Sequence, residues 1–353
     1  MINLRDRIQQ QVFRLNGLSM NEFDLSQPPG DPGLFGPDSV IWRVHGDFTS
    51  MMCGGISALL LQMLHPAALA GVWDHSNFRE DMMGRLRRTS QFIAVTTYGN
   101  SQDAQTLIDR VKRIHLKVSG VDSEGKPYAA SDPHLLTWVH VAETSRFLAA
   151  HLRYKNPHLT RAGQDQYYQE AAQIAEALGA EKVPKSVVDV ADYLQQMRSE
   201  LRFDHRTAEV TRLLMNAPAP SWQAKPVMKI MLKSGFGLMP AWAQAMSGTE
   251  IGRFQQAIID RKINAIAVGL RWSIQRGAWY RAMVRMGRDV GVRCSLVKGW
   301  IALAHKGLLN RSVRYRGLGR CFCADVNLLG VSYNRLIGAD TNIRFVPATE
   351  VAA

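Results

Sequence analysis

From Met51 to Trp73 the chain contains no Asp, Glu, Lys or Arg. A stretch of that length and polarity has to be hidden, either in a bilayer or in a protein core, and a bilayer span takes about 20 apolar residues in one helix. Pro66 favours the core. It cannot continue a helix, so it ends or kinks one near His65 and leaves an apolar run of about 14 residues, the length of a buried helix. Gly54, Gly55, Ser57 and Ala58 leave room on that helix for another backbone or a flat ring to lie close. The expectation is a central core helix followed, after a bend, by a second one.

A second helix reads from Asp103 onward, where Leu107, Ile108, Val111, Ile114 and Val118 recur on one stripe and Arg110, Lys112, Arg113 and Lys117 face away. Gly120 supplies a stop. His115 falls on the apolar stripe, so its imidazole points inward. Two roles fit such a histidine. A core imidazole satisfied by a carbonyl is the commoner one; the other is an axial ligand, since neutral imidazole in an apolar wall holds the iron of a b-type haem. Upstream runs Arg85-Leu86-Arg87-Arg88-Thr89, and in a helix Arg85, Thr89, Phe92 and Thr96 share a face. That face suits a polar spot in an apolar pocket; a solvated basic patch is the commoner use of an arginine cluster.

Other histidines compete. His65 precedes a proline at a helix end and His75 sits in the polar turn Trp73-Asp74-His75-Ser76-Asn77, where capping and hydrogen bonding are the ordinary roles. His65 is the second choice as a ligand. After a turn-rich loop over 122–127, Asp132 and Pro133 open a further helix as N-cap and first residue. His140 and Glu143 stand three apart on it, but a carboxylate-bridged di-iron site wants Glu-x-x-His twice, in that order, and the chain has none. His140 is expected to hydrogen-bond a neighbouring helix or a haem propionate. Helices over about 162–178, ended by Gly179, and about 186–201 complete the readable body.

The 353 residues are 46% hydrophobic, ample for a sizeable core. A net charge of +13 suggests a nucleic-acid binder until it is located: residues 251–353 hold 17 Lys and Arg against 5 Asp and Glu. The body is therefore nearly neutral, and no specific nucleic acid is expected for it; a polyanion-binding role would belong to the basic extension. Four cysteines, Cys53, Cys294, Cys321 and Cys323, make neither a disulfide framework nor a zinc site, and no CxxCH offers covalent haem attachment. A reducing compartment fits. The N-terminus lacks the apolar core of a secretion signal, and Leu4, Ile8, Val12 and Leu15 instead mark a short amphipathic helix that packs on the body or touches a membrane surface. The expected location is cytoplasmic, with peripheral membrane contact as the variant.

Taken in order, Gly36-Pro37-Asp38-Ser39, Gly54-Gly55, Gln62-Met63-Leu64-His65-Pro66, Ala70-Gly71-Val72, His75-Ser76, Arg85 with Thr89, Tyr98-Gly99, Ile114-His115, Tyr128, Asp132-Pro133 and Trp138-Val139-His140 resemble the MpaB-type oxygenases and latex-clearing rubber oxygenases. The resemblance implies an all-α, globin-like helical domain over 36–250, preceded by an N-terminal helix and linker over 1–35 and followed by a basic extension over 251–353. It implies non-covalent haem b, dioxygen as co-substrate and an apolar, alkene-containing small molecule as substrate. It also implies His115 as proximal ligand and Arg85 with Thr89 on the distal side, with Phe92 lining the pocket. Two positions depart from the latex-clearing branch. Arg88 stands where that branch has a lysine able to cap the iron, and an arginine stays protonated. No acid occupies the region of Leu69, where the branch carries a glutamate about four helical turns before the distal arginine. A non-catalytic haem sensor using the same pocket is the alternative from a different class.

Overall fold

The structure, a computed structural model, describes residues 4–15, 22–217, 219 and 221–288. Among them are fourteen α-helices and one two-stranded antiparallel hairpin, so the fold is all-α. In chain order the elements are α1 (Leu4–Leu15), α2 (Val40–His45), α3 (Phe48–Gln62), α4 (Pro66–His75), α5 (Met82–Tyr98), α6 (Ser101–His115), β1 (Ser119–Val121), β2 (Pro127–Ala129), α7 (Pro133–Tyr154), α8 (Arg161–Leu178), α9 (Val187–Gln196), α10 (His205–Met215), α11 (Lys225–Leu238), α12 (Ala241–Ser247), α13 (Arg253–Ser273) and α14 (Ala278–Arg285).

The charge-free stretch becomes the centre. Asp47 caps α3 by accepting from the Ser50 amide at 3.0 Å, and Cys53, Ile56, Leu60 and Leu61 are buried on different sides of the helix because α7, α11 and α13 all pack on it. Close approach is built from missing side chains. A Cβ on Gly54 would lie 3.0 Å from the Arg146 carbonyl oxygen and 3.1 Å from the Phe147 Cα, which sets α3 backbone-to-backbone on α7. On the other side a Cβ on Gly235 of α11 would come within 2.8 Å of the Ile56 Cβ. Pro66 acts as expected: α3 stops at Gln62, and α4 departs at 102° with Pro66 in its first turn. No single helix among the described residues is long and apolar enough to cross a membrane.

Local signals place most helix ends. Asn100 caps α6 through the Asp103 amide at 2.8 Å, Asp132 caps α7 ahead of Pro133, and Gly179 closes α8 at φ 109°. The end of α6 differs from expectation. The helix stops at His115, and Ser119–Val121 pairs with Pro127–Ala129, so Val118 and Gly120 lie outside it. The turn between the strands explains this: the Asp122 carboxylate accepts from the Glu124 amide at 2.8 Å and the Lys126 amide at 3.0 Å, and Gly125 takes φ 81°. Ile114, placed on the inward stripe by spacing, is 52% exposed, and Ala104, Leu107 and Ile108 carry the buried face.

The helical body also runs past the boundary expected at residue 250. Helix α13 packs on α11, α3 and α1, and α1 returns the contact through the Arg5 Nε donating to the Trp272 carbonyl at 3.1 Å. Two basic residues of this segment serve the core. Arg271 bonds the buried Asp47 carboxylate at 2.6 Å and the Tyr154 carbonyl at 2.8 Å. Arg285, 1% exposed, donates to the carbonyls of Leu25, Asp31, Tyr98 and Gly99 at 2.7–3.1 Å, pinning the proline-rich N-terminal loop to the α5–α6 connection. The remaining extension, and with it the polyanion-binding expectation and Cys294, Cys321 and Cys323, lies outside the described residues.

Replacing Gly235 with Ala is expected to destabilise the fold by about 1–3 kcal/mol, the cost of overpacking a close-packed contact. The Ser57 amide stands 3.3 Å from the new methyl and blocks an easy escape for Ile56. A urea midpoint unchanged from the parent would mean that α11 can shift away from α3 without loss.

Candidate active site

A cavity of about 240 Å³ opens between α3, α5, α7, α11 and the segment around Trp279. Its wall is mostly methionine, leucine, isoleucine and aromatic side chains, and a few polar groups interrupt it: Arg85 and Thr89 from α5, Gln62 from α3, His45 from α2 and Glu143 from α7. Each is placed by ordinary helix logic. On α5 the Asp81 carboxylate caps the helix by accepting from the Gly84 amide at 2.7 Å, a position where a Cβ would run into that carboxylate. Arg85 follows one residue later, and Arg85, Thr89 and Ile93 then recur every four residues along the cavity side.

Arg85 makes no hydrogen bond or ion pair through its guanidinium among the described residues. Burial, with a smaller contribution from Arg88, lowers its pKa, yet an arginine keeps its proton. Thr89 lies toward the open side. Arg88, grouped with these two by sequence, is not brought to the cavity: its side chain points outward and sits 4.0 Å from Asp81. A residue three after Arg85 and one before Thr89 turns to the flank of the helix, where the capping carboxylate draws it. Phe92 packs half-buried against the main core and does not line the cavity.

His115 ends α6. Its ring turns inward, burial lowers its pKa, and its Nδ1 is buried with no hydrogen-bond partner among the described residues. It does not line the cavity that holds Arg85 and Thr89. The short Gly99–Asn100 connection folds α6 back against α5, and each of Arg85 and His115 stands about 20 Å along its helix from that connection, at 1.5 Å per residue. His140 is enclosed on α7; burial pushes it down to about 4, and it has no hydrogen bond through its ring among the described residues.

Two features of the cavity escape a linear reading. His45 at the end of α2 has both nitrogens engaged, Nδ1 with the Thr97 hydroxyl at 2.9 Å and Nε2 with the Tyr167 hydroxyl at 3.1 Å, and burial holds its pKa down at about 3. Glu143 faces the same space with no partner among the described residues, and burial pushes its carboxyl up to about 7. Its spacing from His140 drew attention to it as a metal ligand, but nothing in the sequence said which cavity it would enter.

His65 lies elsewhere, in a second pocket with His134 and Glu200, and their ligand atoms fall within 4.8 Å of one another. Such a trio has the separation of a metal site. The proton inventory argues against one. The His65 Nδ1 accepts from the Ala67 amide at 3.2 Å as the N-cap of α4, so in the neutral ring the proton sits on Nε2, the atom that a metal would need. Burial lowers the His65 pKa despite the opposing pull of Glu200, which lies 3.5 Å from Nε2 and accepts from the His134 Nε2 at 3.0 Å. His65 is the cap of α4, and His134 and Glu200 are hydrogen-bonded to each other beside its Nε2, which is buried and has no hydrogen bond of its own among the described residues. His75 likewise reaches the Ser119 carbonyl at 3.1 Å, tying α4 to the hairpin.

Changing His65 to Ala should cost about 0.5–2 kcal/mol through the lost cap, and changing it to Asn should cost less because an acceptor remains. Equal losses in thermal unfolding of the two variants would show that the cap is not what His65 contributes.

Neither a curated protein nor a solved structure matches the chain. One family model does, described as ER-bound oxygenase mpaB/B'/Rubber oxygenase, catalytic domain, over residues 42–289. The match starts inside α2, takes in the whole cavity with Arg85, Thr89 and Glu143, and runs past the end of α14. Covering roughly seven-tenths of the 353 residues, it shows that the chain belongs to the mpaB/rubber oxygenase catalytic-domain family.

Proposed function

We propose that this oxygenase is haem-dependent, with His115 as the iron ligand and the cavity beside Arg85 and Thr89 as the place where an apolar, alkene-containing small molecule meets dioxygen. The observation that carries this is the unpartnered Nδ1 of His115, buried at the end of α6. Buried polar atoms are normally satisfied, so an orphaned one on an imidazole kept neutral by burial fits a ligand that a metal centre would complete. Arg85, half-buried and without a partner among the described residues, stands about the same distance from the α5–α6 connection. A b-type haem bound here would supply the activation of dioxygen.

The protein's own contribution follows from the wall. Arg85 places a fixed positive charge, and Thr89 a hydroxyl donor, where they stabilise negative charge that dioxygen gains as it is reduced; in a dry cavity such donors act at full strength and need not reorganise. The apolar side chains of α3, α5 and α11 hold the substrate and keep water away. The chain carries its arginine position on Arg85 alone, since Arg88 faces outward.

Two measurements test this. Changing His115 to Ala should abolish or sharply reduce haem incorporation, read as the Soret absorbance per protein; full occupancy with an unchanged spectrum would move the ligand to His140. Changing Arg85 to Ala should leave haem content near the parent level while turnover with an alkene substrate falls about 100-fold to 1000-fold, the usual cost of removing one such donor. Arg88 changed to Ala should have a much smaller effect. An Arg85 variant that stays active, or that loses its haem together with its activity, would overturn the assignment of Arg85.

A further inference from the structure

Glu143 is an anomaly in the wall it belongs to. It sits in the middle of α7, with His140 one turn before it and Phe147 one turn after, and it lines an otherwise apolar cavity without a hydrogen bond or ion pair among the described residues. Arg146, one turn further along the helix, is committed elsewhere, its guanidinium donating to the Leu238 carbonyl at 2.6 Å and to the Ser145 hydroxyl at 3.3 Å, and Arg85 on the same cavity makes no ion pair with Glu143. His45 is held by Thr97 and Tyr167. A carboxyl placed like this is costly unless it meets a partner, and the space it faces belongs to whatever occupies the cavity.

We infer that Glu143 is the polar anchor of the cavity, and that the substrate carries an uncharged oxygen function, a hydroxyl or a carbonyl, on an otherwise apolar body. The inference rests on the reading that the cavity receives the substrate. An apolar occupant would leave the carboxyl unsatisfied. A carboxylate on the substrate would be drawn to Arg85 and repelled by an ionised Glu143, and an ammonium would share the cavity with the fixed cation of Arg85. A neutral oxygen meets neither objection. A protonated Glu143 donates to a carbonyl or a hydroxyl; once ionised it only accepts, and a hydroxyl alone can then serve it.

This asymmetry gives the anchor a signature in pH. Among the groups around it, α2 brings His45, held at about 3; α7 brings His140, at about 4, and Arg146, lowered to about 10. From α8 comes Tyr167 and from α5 Tyr98, both pushed well up by burial, and α5 also brings Arg85, which stays charged. The wall residues of α3 and α11 do not titrate. Between pH 6 and 8 the change at the cavity is therefore that of Glu143, whose proton is lost as pH rises through about 7.

The test is displacement of N-phenyl-1-naphthylamine, a neutral apolar fluorophore, from the full-length protein by 2-decanone, 2-decanol and decane, with haem content recorded in parallel. At pH 6 the ketone and the alcohol should displace it at roughly tenfold lower concentration than the alkane, the worth of one net hydrogen bond. At pH 8 the ketone should lose that advantage while the alcohol keeps it. Glu143→Gln should retain the preference for both at either pH, and Glu143→Leu should remove it without loss of helix by circular dichroism. Decane binding as tightly as the other two, or an oxygen preference that survives in Glu143→Leu, would overturn the anchor and leave the cavity's role standing. Failure of all three to displace the fluorophore would overturn both.

Discussion

Everything in this fold depends on how closely α3 can be approached. An uncharged helix without a polar face cannot sit at a surface, so other helices have to cover it on every side, and the depth of that cover is set where side chains are absent. Gly54 lets the α7 backbone come within van der Waals reach, and Gly235 does the same for α11. Because α7 is held there, its inward residues His140, Glu143 and Phe147 are fixed relative to α3, and the cavity is the space left over where α3 and α7 diverge toward α5.

The same economy explains where the charges went. A nearly neutral body with a central helix lacking any ion has few places for buried charge, and those it has are tied to chain crossings. Asp47 begins α3 and is held below its ordinary pKa: burial works to raise it, and the Arg271 guanidinium and the Ser50 amide more than offset that. Arg285 gathers carbonyls from the N-terminal loop and from the turn between α5 and α6. Both arginines come from a segment that looks, by composition, like the start of a basic extension. They are interior fasteners, and only the outward-facing basic residues of that segment remain available for anything else.

How far the sequence discloses this depends on the range of the interaction. Helix ends were legible because their causes are local: Pro66 after His65, Asp132 before Pro133, Gly179 after α8. The uncharged run disclosed the core helix for a similar reason, since hydrophobicity over a window needs no knowledge of partners. His115 was legible as an inward residue, although the helix ends at it and a hairpin replaces the turn expected after it. The losses come from geometry that periodicity cannot supply. The resemblance grouped Arg88 with Arg85 and Thr89, but one residue before Thr89 it falls about 100° round the helix and stands exposed beside Asp81. Glu143 and His45 are separated from Arg85 by some 58 and 40 residues of chain, and only the packing of three helices puts them on one wall. His65 shows the opposite error: residue type and position before a proline made it a rival ligand, while its Nδ1 is spent on the Ala67 amide.

The departure at Leu69 takes on a different meaning in this light. That position is buried in a small satellite cluster with Met63, Phe78, Met82 and Val210, and it does not line the cavity, so an acid there would need a different arrangement of α4 to reach substrate. Helix α4 leaves α3 at 102° and is tied to the β1–β2 hairpin by His75 and by the packing of Gly71 against Tyr128. The carboxyl that does face the cavity belongs to α7, the helix most firmly seated on α3. A side chain on that helix is positioned by backbone contact, whereas one on α4 would be positioned through a bend and a hairpin. An acid on α7 in the same cavity as Arg85 therefore imposes a polar point on whatever the cavity holds, and the mostly apolar remainder of the wall selects the substrate by its shape.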